Sequence, residues 1–229
     1  LNLRMGGSAD PLEVNGSLAM TGARFTETVS GIVLDDIFGT LNYTRNGLDA
    51  IDLPANYKGY PVSIDINSNW DAEEVFRASI QGDLPVHTVV PEELQRLEPL
   101  FARATGTSHW DVDVSVASVD GSEKRETWLE VSSGLEGVSI DLPAPLEKPP
   151  DASWPILVRY PIRAEDNIMT ASISEHVQLK MELSKEDSRP VRAAVELGGE
   201  VQELPEAGLF NVHGSCESFD LDRWVDLAI

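Results

Sequence analysis

Pairs of acidic residues are the first feature of this sequence that could do chemistry. Asp35 and Asp36 are adjacent, while Asp111 and Asp113 lie two residues apart and would share one face of an extended strand. A glycoside hydrolase uses two carboxyl groups about 5–10 Å apart to cleave a sugar bond. The chain carries 39 Asp and Glu residues, so such pairs also arise from composition. We therefore favour a solvated strand face and keep glycoside hydrolysis as a remote alternative.

Residues that commonly form metal or nucleophile sites are sparse. The four histidines, at positions 87, 109, 176 and 213, occur in no HExxH or Cys-x-x-Cys setting. The segment Gly214-Ser215-Cys216-Glu217-Ser218 lacks the final glycine of a nucleophile elbow. We interpret Cys216, the single cysteine, as a small buried residue. The sequence therefore predicts a protein that is not an enzyme and has no catalytic residue, metal or cofactor.

The net charge limits the partners of this chain. There are 17 Lys and Arg residues against 39 Asp and Glu, which gives a formal charge of −22 at pH 7. Because that field repels phosphates, we expect no nucleic-acid partner. The chain has no apolar run of about 18 residues, and it starts at Leu1. We expect a fragment of a longer protein, whose membrane contact is made by segments outside this chain.

Alternating aliphatic and polar residues predict which segments of the chain form β-strands. A period of two predicts β-strands with one apolar face, and turn sequences such as Arg45-Asn46-Gly47 and Gly198-Gly199 separate the runs. Short strands joined by turns favour a mainly antiparallel sheet. The clearest runs are Val62, Ile64 and Ile66; Val112, Val114 and Val116; and Val177, Leu179, Met181 and Leu183.

Helical and proline-rich segments interrupt this pattern. Pro91 and the leucines that follow predict a short helix near 91–104, and a helical turn is expected after Asp220 or Asp222. Prolines between Pro143 and Pro150 predict a rigid crossing, and any subdivision of the chain would fall near 143–155. For the five tryptophans we favour core or sheet-edge positions over carbohydrate stacking.

Five segments form a recognisable order along the chain: GTLNYTRNGLDA (39–50), YKGYPVSIDI (57–66), ATGTSHWDVDVSV (104–116), LEVSSGLEGVSIDLPAPLEKP (129–149) and FDLDRWVDL (219–227). In this order they resemble the very large AsmA-like proteins of Gram-negative bacteria, and most closely the YhdP family. The most specific element is SSGLEGVSIDLPAPLEK (132–148), which combines small residues, glycines and prolines. The resemblance runs from about residue 30 to the C-terminus. Family members are several times longer and carry an N-terminal transmembrane helix, which this chain lacks.

The resemblance implies one segment, residues 1–229, of an elongated, curved antiparallel sheet that forms an open hydrophobic groove. The whole protein would be periplasmic and anchored to the inner membrane by a segment outside this chain. Its role would be to shelter phospholipid acyl chains during transport between the inner and outer membranes and so support the outer-membrane permeability barrier. The groove lining would be the ten aliphatic residues of the three runs above, and other envelope proteins could be partners.

A closed β-sandwich remains the alternative. The same period-two faces would fill the core of a sandwich that supports neighbouring domains or binds a protein partner. The two interpretations differ in exposure, because soluble proteins rarely leave a large apolar face open unless it binds something.

Overall fold

The computed structural model describes residues 2–4, 13–26, 32–89, 102–119, 124–200 and 203–228. Within these residues most of the chain is β-strand, with two short helices, α1 (Val86–Val89) and α2 (Leu221–Ala228). The strands are β1 (Asn2–Arg4), β2 (Glu13–Thr26), β3 (Val33–Thr44), β4 (Gly47–Tyr57), β5 (Tyr60–Ser68), β6 (Glu74–Pro85), β7 (Ala104–Ser118), β8 (Arg125–Ser133), β9 (Val138–Ile140), β10 (Ile156–Arg163), β11 (Ile168–Ile173), β12 (Val177–Leu183), β13 (Pro190–Leu197) and β14 (Phe210–Gly214).

Hydrogen bonds order the strands as they follow one another along the chain. The order runs from β1 to β8 and continues from β10 to β14, while β9 pairs with β7. The pairs from β1 to β6 and from β10 to β13 are antiparallel, and β14 runs parallel to β13. Since β1 and β14 end this order without pairing with each other, the sheet is open. The prediction of a mainly β protein with an open antiparallel sheet is confirmed.

Tight turns join the strands near the N-terminus. Thr44 pairs with Gly47 across the β3–β4 turn, where the predicted Arg45-Asn46-Gly47 turn is found. Lys58 and Gly59 connect β4 to β5 with φ values of 49° and 87°. Two successive positive φ values produce the type of turn whose twist matches that of the flanking strands.

The observed helices agree only in part with those predicted from the sequence. Most of the helix predicted near 91–104 lies outside the described residues, and β7 has already begun at Ala104. The helical turn expected after Asp220 is confirmed as α2. The Asp220 side chain caps this helix, because its Oδ1 accepts a hydrogen bond from the Arg223 amide at 3.1 Å.

The chain divides into two compact units. The first, here the N-terminal unit, comprises Leu1–Gly82, Asp111–Leu129 and Ile162–Ala164. The second, here the C-terminal unit, comprises Asp83–Trp110, Glu130–Pro161 and Glu165–Ile229. Each unit has its own buried side chains. Leu34, Leu53 and Val75 are buried in the first, and Trp110, Leu135 and Val138 are buried in the second.

The β3–β4 turn offers a direct test of this packing. A Cβ atom added at Gly47 would lie 1.8 Å from the carbonyl oxygen of Ser68, which is backbone and cannot rotate away. We expect Gly47→Ala to reduce the free energy of unfolding by about 1–3 kcal/mol, the usual cost of overpacking. Urea unfolding followed by circular dichroism measures this change.

The matched control is Gly134→Ala. A Cβ atom there would meet its nearest neighbours at 3.6–3.9 Å, which is ordinary van der Waals contact. Equal stability changes in the two variants would contradict the close approach of Gly47 to Ser68.

Candidate functional site: the apolar faces of the sheet

An apolar face runs across β3 to β6 in the N-terminal unit. In the antiparallel register Leu53 lies opposite Ile64, Ile64 lies opposite Ile80, and Ile66 lies opposite Ala78, so their side chains share one side of the sheet. We call this surface the N-terminal apolar face. Its members are Leu34, Ile37, Ala50, Leu53, Ala55, Val62, Ile64, Ile66, Ala78 and Ile80.

Two bulges keep the aliphatic side chains on that face. Buried residues are three positions apart at Leu34 and Ile37 in β3, and again at Ala50 and Leu53 in β4. In a regular strand such pairs would point to opposite faces. Between the members of each pair lies an aspartate with φ of 53°, Asp36 or Asp52, and aspartate is among the side chains best suited to that region. The added residue returns the alternation to the apolar face.

Side-chain hydrogen bonds support both bulges. The Asp52 amide donates to Asp65 Oδ1 at 2.7 Å, and the Asn56 amide group donates to Asp36 Oδ2 at 3.1 Å. Asp36 and Asp65, which composition alone does not distinguish from the other acidic residues, therefore have defined structural roles. The centre of the N-terminal apolar face is well covered, with Ala50 only 2% and Ile64 only 4% exposed.

A second apolar face crosses five strands of the C-terminal unit. The register places Ile173 opposite Val177, Leu179 opposite Val195, and Val195 beside Val212. We call this surface the C-terminal apolar face. Its members are Ile156, Val158, Met169, Ala171, Ile173, Val177, Leu179, Met181, Leu183, Ala193, Val195, Leu197, Phe210 and Val212.

The reverse side of these strands is mostly polar. Arg192 donates to Glu182 at 2.5 Å across the β12–β13 pair. Polar or charged side chains occupy most of the positions between the apolar ones. The cross-strand neighbours on this side include Thr170 with Lys180, Gln178 with Glu196, and Glu182 with Arg192. One sheet therefore presents two chemically different sides.

The C-terminal apolar face is more accessible than the N-terminal one. Only Leu183 and Ala193 of its members are fully buried, and most of the others are half-buried. On the last strand, Phe210 is 61% exposed and Val212 is 56% exposed. The strands that carry this face belong to one hydrogen-bonded order of the described residues, whose two end strands do not pair with each other. The exposure of these side chains is expected of an open apolar face, whereas the core of a closed sandwich would bury them.

The ten predicted lining residues all lie in strands. Val62, Ile64 and Ile66 belong to the N-terminal apolar face, and Val177, Leu179, Met181 and Leu183 belong to the C-terminal one. Val112, Val114 and Val116 are half-buried in β7. Asp113 between them accepts a hydrogen bond from Ser79, whose neighbours Ala78 and Ile80 lie on the N-terminal apolar face. The three valines therefore lie on the apolar side of β7.

Sequence reasoning did not identify β13 and β14 as part of such a face. In β13 the apolar Ala194 lies on the otherwise polar side of the sheet, so apolar and polar residues do not alternate strictly in this strand. β14 has only five residues, and Phe210 and Val212 are a weak signal in so short a run. The alternation of Val191, Ala193, Val195 and Leu197 was the sequence signal available for β13.

The most specific motif of the chain, residues 132–148, is built around a buried lysine. Lys148 is 1% exposed, and its Nζ donates hydrogen bonds to the carbonyl oxygens of Leu135, Val138 and Pro149 at 2.8–3.1 Å. Burial lowers the pKa of Lys148 below its ordinary value, although the charge of Asp151 opposes this shift. Lys148 therefore stabilises the loop between β8 and β10 through hydrogen bonds to carbonyl groups inside the loop.

Glycines let this loop approach β7 closely. A Cβ atom at Gly106 would lie 2.1 Å from the Gly137 carbonyl oxygen, and one at Gly137 would lie 2.4 Å from the Thr107 carbonyl oxygen. Both residues have positive φ, 120° for Gly106 and 85° for Gly137. The motif is therefore explained by packing within the C-terminal unit and needs no ligand.

Helix α2 docks on the proline segment of the same loop. The indole nitrogen of Trp224 donates to the Ala144 carbonyl oxygen at 3.0 Å. The Asp141 carboxylate lies 3.3 Å from both Arg103 and Arg223. Pro143–Pro150 thus serves as a docking point for the end of the described chain, a contact not apparent from its proline spacing.

The residues that could have formed a catalytic centre are dispersed or already engaged. Asp35 pairs with Arg24 at 3.1 Å, and His109 contacts Asp83 at 2.9 Å. Cys216 is exposed, so the prediction that it is buried is wrong. The short β14 ends two residues before it and leaves it outside the sheet. In the described ranges, no group of three or more His, Cys, Asp or Glu side chains could hold a metal ion.

The family model described as YhdP protein matches residues 1–229. The chain belongs to the YhdP family. No curated protein and no solved structure matches it. YhdP is not a known enzyme family, and the match makes this chain part of a cell-envelope protein. Neither helix of the described YhdP chain has the length and apolar character needed to cross a bilayer.

Lys148 provides a test of the loop between β8 and β10. Lys148→Met removes three hydrogen bonds from inside the loop, although the Leu135 and Pro149 carbonyl oxygens still accept from the Val138 and Ala152 amides. It also removes a buried charge, which offsets part of the loss. We expect a net loss of about 1–3 kcal/mol in the free energy of unfolding at pH 7, measured by urea titration. The exposed Lys185→Met should change it by less than about 0.5 kcal/mol.

The same pair of proteins predicts a pH dependence. Because the pKa of Lys148 is lowered in the folded state, the unfolded chain binds this proton more tightly. The contribution of Lys148 to stability therefore rises as the pH increases through the lowered pKa towards 10.5. We expect the stability difference between the wild type and Lys148→Met to be larger at alkaline pH than at pH 7. A difference independent of pH would argue against the buried, charged lysine.

Proposed function

We propose that this chain is a non-enzymatic segment of a bridge that shelters phospholipid acyl chains as they move between the inner and outer membranes. The observation that carries the proposal is the C-terminal apolar face, with its aliphatic side chains on one side of an open sheet and polar side chains on the other. Membership of the YhdP family supports it. The periplasm is the compartment in which such a bridge acts.

The energetic problem that such a face solves is large. A two-chain phospholipid has about 30 methylene groups, and at about 0.8 kcal/mol each their exposure to water costs about 24 kcal/mol. A continuous apolar surface removes most of this barrier. β12 has seven residues, so at about 3.3 Å per residue it spans about 23 Å. This exceeds the ~15 Å of half the hydrocarbon core of a bilayer, so the strand is long enough to shelter an acyl chain.

Charge sets how the lipid is held. The chain has a formal charge of −22, and the C-terminal apolar face contains no Lys or Arg side chain. The residues that would contact the acyl chains therefore include no positively charged side chain that could bind the phosphate headgroup. The lipid is held by its acyl chains, its headgroup stays in water, and it can slide without being trapped.

The closed sandwich has less support. A sandwich core is formed by two facing sheets, whereas the strands of the described residues follow one hydrogen-bonded order. The exposed side chains of Phe210 and Val212 also lie where a sandwich would bury them.

Site-specific photo-crosslinking in cells tests the proposal. A photoreactive residue at Leu179 would lie on the C-terminal apolar face, and one at the neighbouring Gln178 would lie on the polar side; both positions are half-buried. We expect labelled phospholipid to attach at Leu179 at least about tenfold more than at Gln178, because the acyl chains contact only the apolar side. Mass spectrometry of the adducts identifies the lipid.

A second pair extends the test to the N-terminal unit. Val114 and Ser115 are neighbouring half-buried residues of β7, and lipid adducts are expected at Val114 alone. Equal labelling within both pairs, or crosslinks from Leu179 only to protein, would overturn the proposed lipid path.

A further inference from the structure

A cavity of about 310 Å³ opens in the N-terminal unit where the β3–β4 turn meets the loop after β5. A cross-strand row of Asn42, Asp49 and Asn67 forms part of its lining. The same register puts these three side chains on the side opposite Ala50 and Ile66, that is, opposite the N-terminal apolar face. The cavity is therefore separate from the proposed lipid path.

The backbone around the cavity is held in place without a ligand. The Trp70 amide donates to the Asn46 carbonyl oxygen at 2.8 Å, and the Leu48 amide donates to Ser68 Oγ at 2.6 Å. Gly47 packs against Ser68 with no room for a side chain. A preorganised rim lowers the entropic cost of binding.

The row of side chains is free to bind a partner molecule. In the part of the chain that the structure describes, no side-chain hydrogen bond engages Asn42, Asp49 or Asn67. Each Asn amide offers two donors and an acceptor, and Asp49 offers acceptors only. With strands about 4.8 Å apart, the row extends about 10 Å across β3, β4 and β5. This length suits an extended ligand with several hydroxyl groups.

The charges of the lining residues argue against an anion or a divalent cation as the ligand of this cavity. Its lining contains no Lys or Arg to balance a phosphate or carboxylate, and Asp49 is its single acidic group. Arg77 lies opposite Asn67 on the next strand, but its guanidinium already pairs with Glu74 at 2.9 Å. One carboxylate is a poor site for a divalent cation, which takes six or more oxygen ligands. A neutral ligand remains.

An exposed tryptophan adds the second element of such a site. Trp70 directly follows the lining residue Asn69, and its side chain is 43% exposed. The hydrogen bond from its amide to the carbonyl oxygen of the lining residue Asn46 holds the Trp70 backbone next to the cavity. An indole ring has a large apolar surface, on which the C–H face of a sugar ring can stack.

We propose that this cavity binds a neutral, hydroxyl-rich saccharide. The amides of Asn42 and Asn67 bind its hydroxyl groups, Asp49 accepts a hydrogen bond from it, and the Trp70 indole covers one sugar ring. The volume lies at the lower end of the ~300–1,000 Å³ typical of small-molecule sites, so one or two sugar units fit. The chain would then contact an envelope glycan on the polar side of its sheet.

The test uses the full chain labelled with ¹⁵N and titrated with N,N′,N″-triacetylchitotriose, a neutral oligosaccharide. We expect shifts of the Trp70 indole N–H and of the Asn42 and Asn67 side-chain amides. Trp70→Ala and Asn67→Ala should each raise the Kd at least about tenfold, equivalent to about 1.4 kcal/mol. Asn211→Ala, an asparagine of β14 in the other unit, should change the Kd less than about twofold.

A charged ligand and a second variant keep the outcome decisive. Trigalacturonate, which is anionic, should produce no shifts at the cavity. Asn42→Ala provides an independent variant should either of the others unfold, which loss of signal dispersion would reveal. The proposal is overturned if chitotriose causes no shift at millimolar concentration, if the cavity variants bind as the wild type does, or if trigalacturonate binds equally well.

Discussion

The constraint on which the rest of the structure depends is that a strand sends alternate side chains to opposite sides of the sheet. In a single open sheet this sorting decides which side avoids water. β10 to β14 follow the rule closely enough to place aliphatic side chains on one side and ion pairs such as Arg192 with Glu182 on the other. β3 and β4 follow it only because an extra aspartate in each strand corrects the alternation. The apolar faces are therefore a consequence of backbone register.

The two faces differ in a way that matters for function. The centre of the N-terminal apolar face is buried, whereas the C-terminal one is mostly half-buried and is more than half exposed at Phe210 and Val212 of β14. A large exposed apolar surface normally marks a binding site. The segment 132–148 contributes by stabilising the fold. Lys148 and the close glycine contacts hold together the loop on which α2 docks, so the most recognisable residues of the chain stabilise the scaffold.

Sequence patterns predicted the strands whose alternation is undisturbed. β5, β7 and β12 contain the ten aliphatic residues expected to line the groove. The register places those of β5 and β12 on the apolar sides, and the hydrogen bond from Ser79 to Asp113 does so for β7. The bulges could not be predicted this way, because buried residues three apart, such as Ala50 and Leu53, break the period of two. Lys148 resembles any surface lysine in the sequence, since its three acceptors are backbone carbonyls with no side-chain signature. Trp70 also departs from the core or sheet-edge position favoured for the tryptophans, because it lies in an exposed loop after β5.

The aspartate bulges have a further consequence for how the chain finds its fold. A sheet of successive hairpins has many competing pairings, and a slip of one residue would turn a whole strand over. At Asp36 and Asp52 the backbone holds a left-handed conformation that an ordinary pairing cannot accommodate, and each carboxylate lies on the water side. A slipped strand would carry that charge into the apolar side, where an unpaired carboxylate is costly to bury. The bulges therefore raise the free energy of misaligned strand pairings relative to the native pairing as the sheet forms.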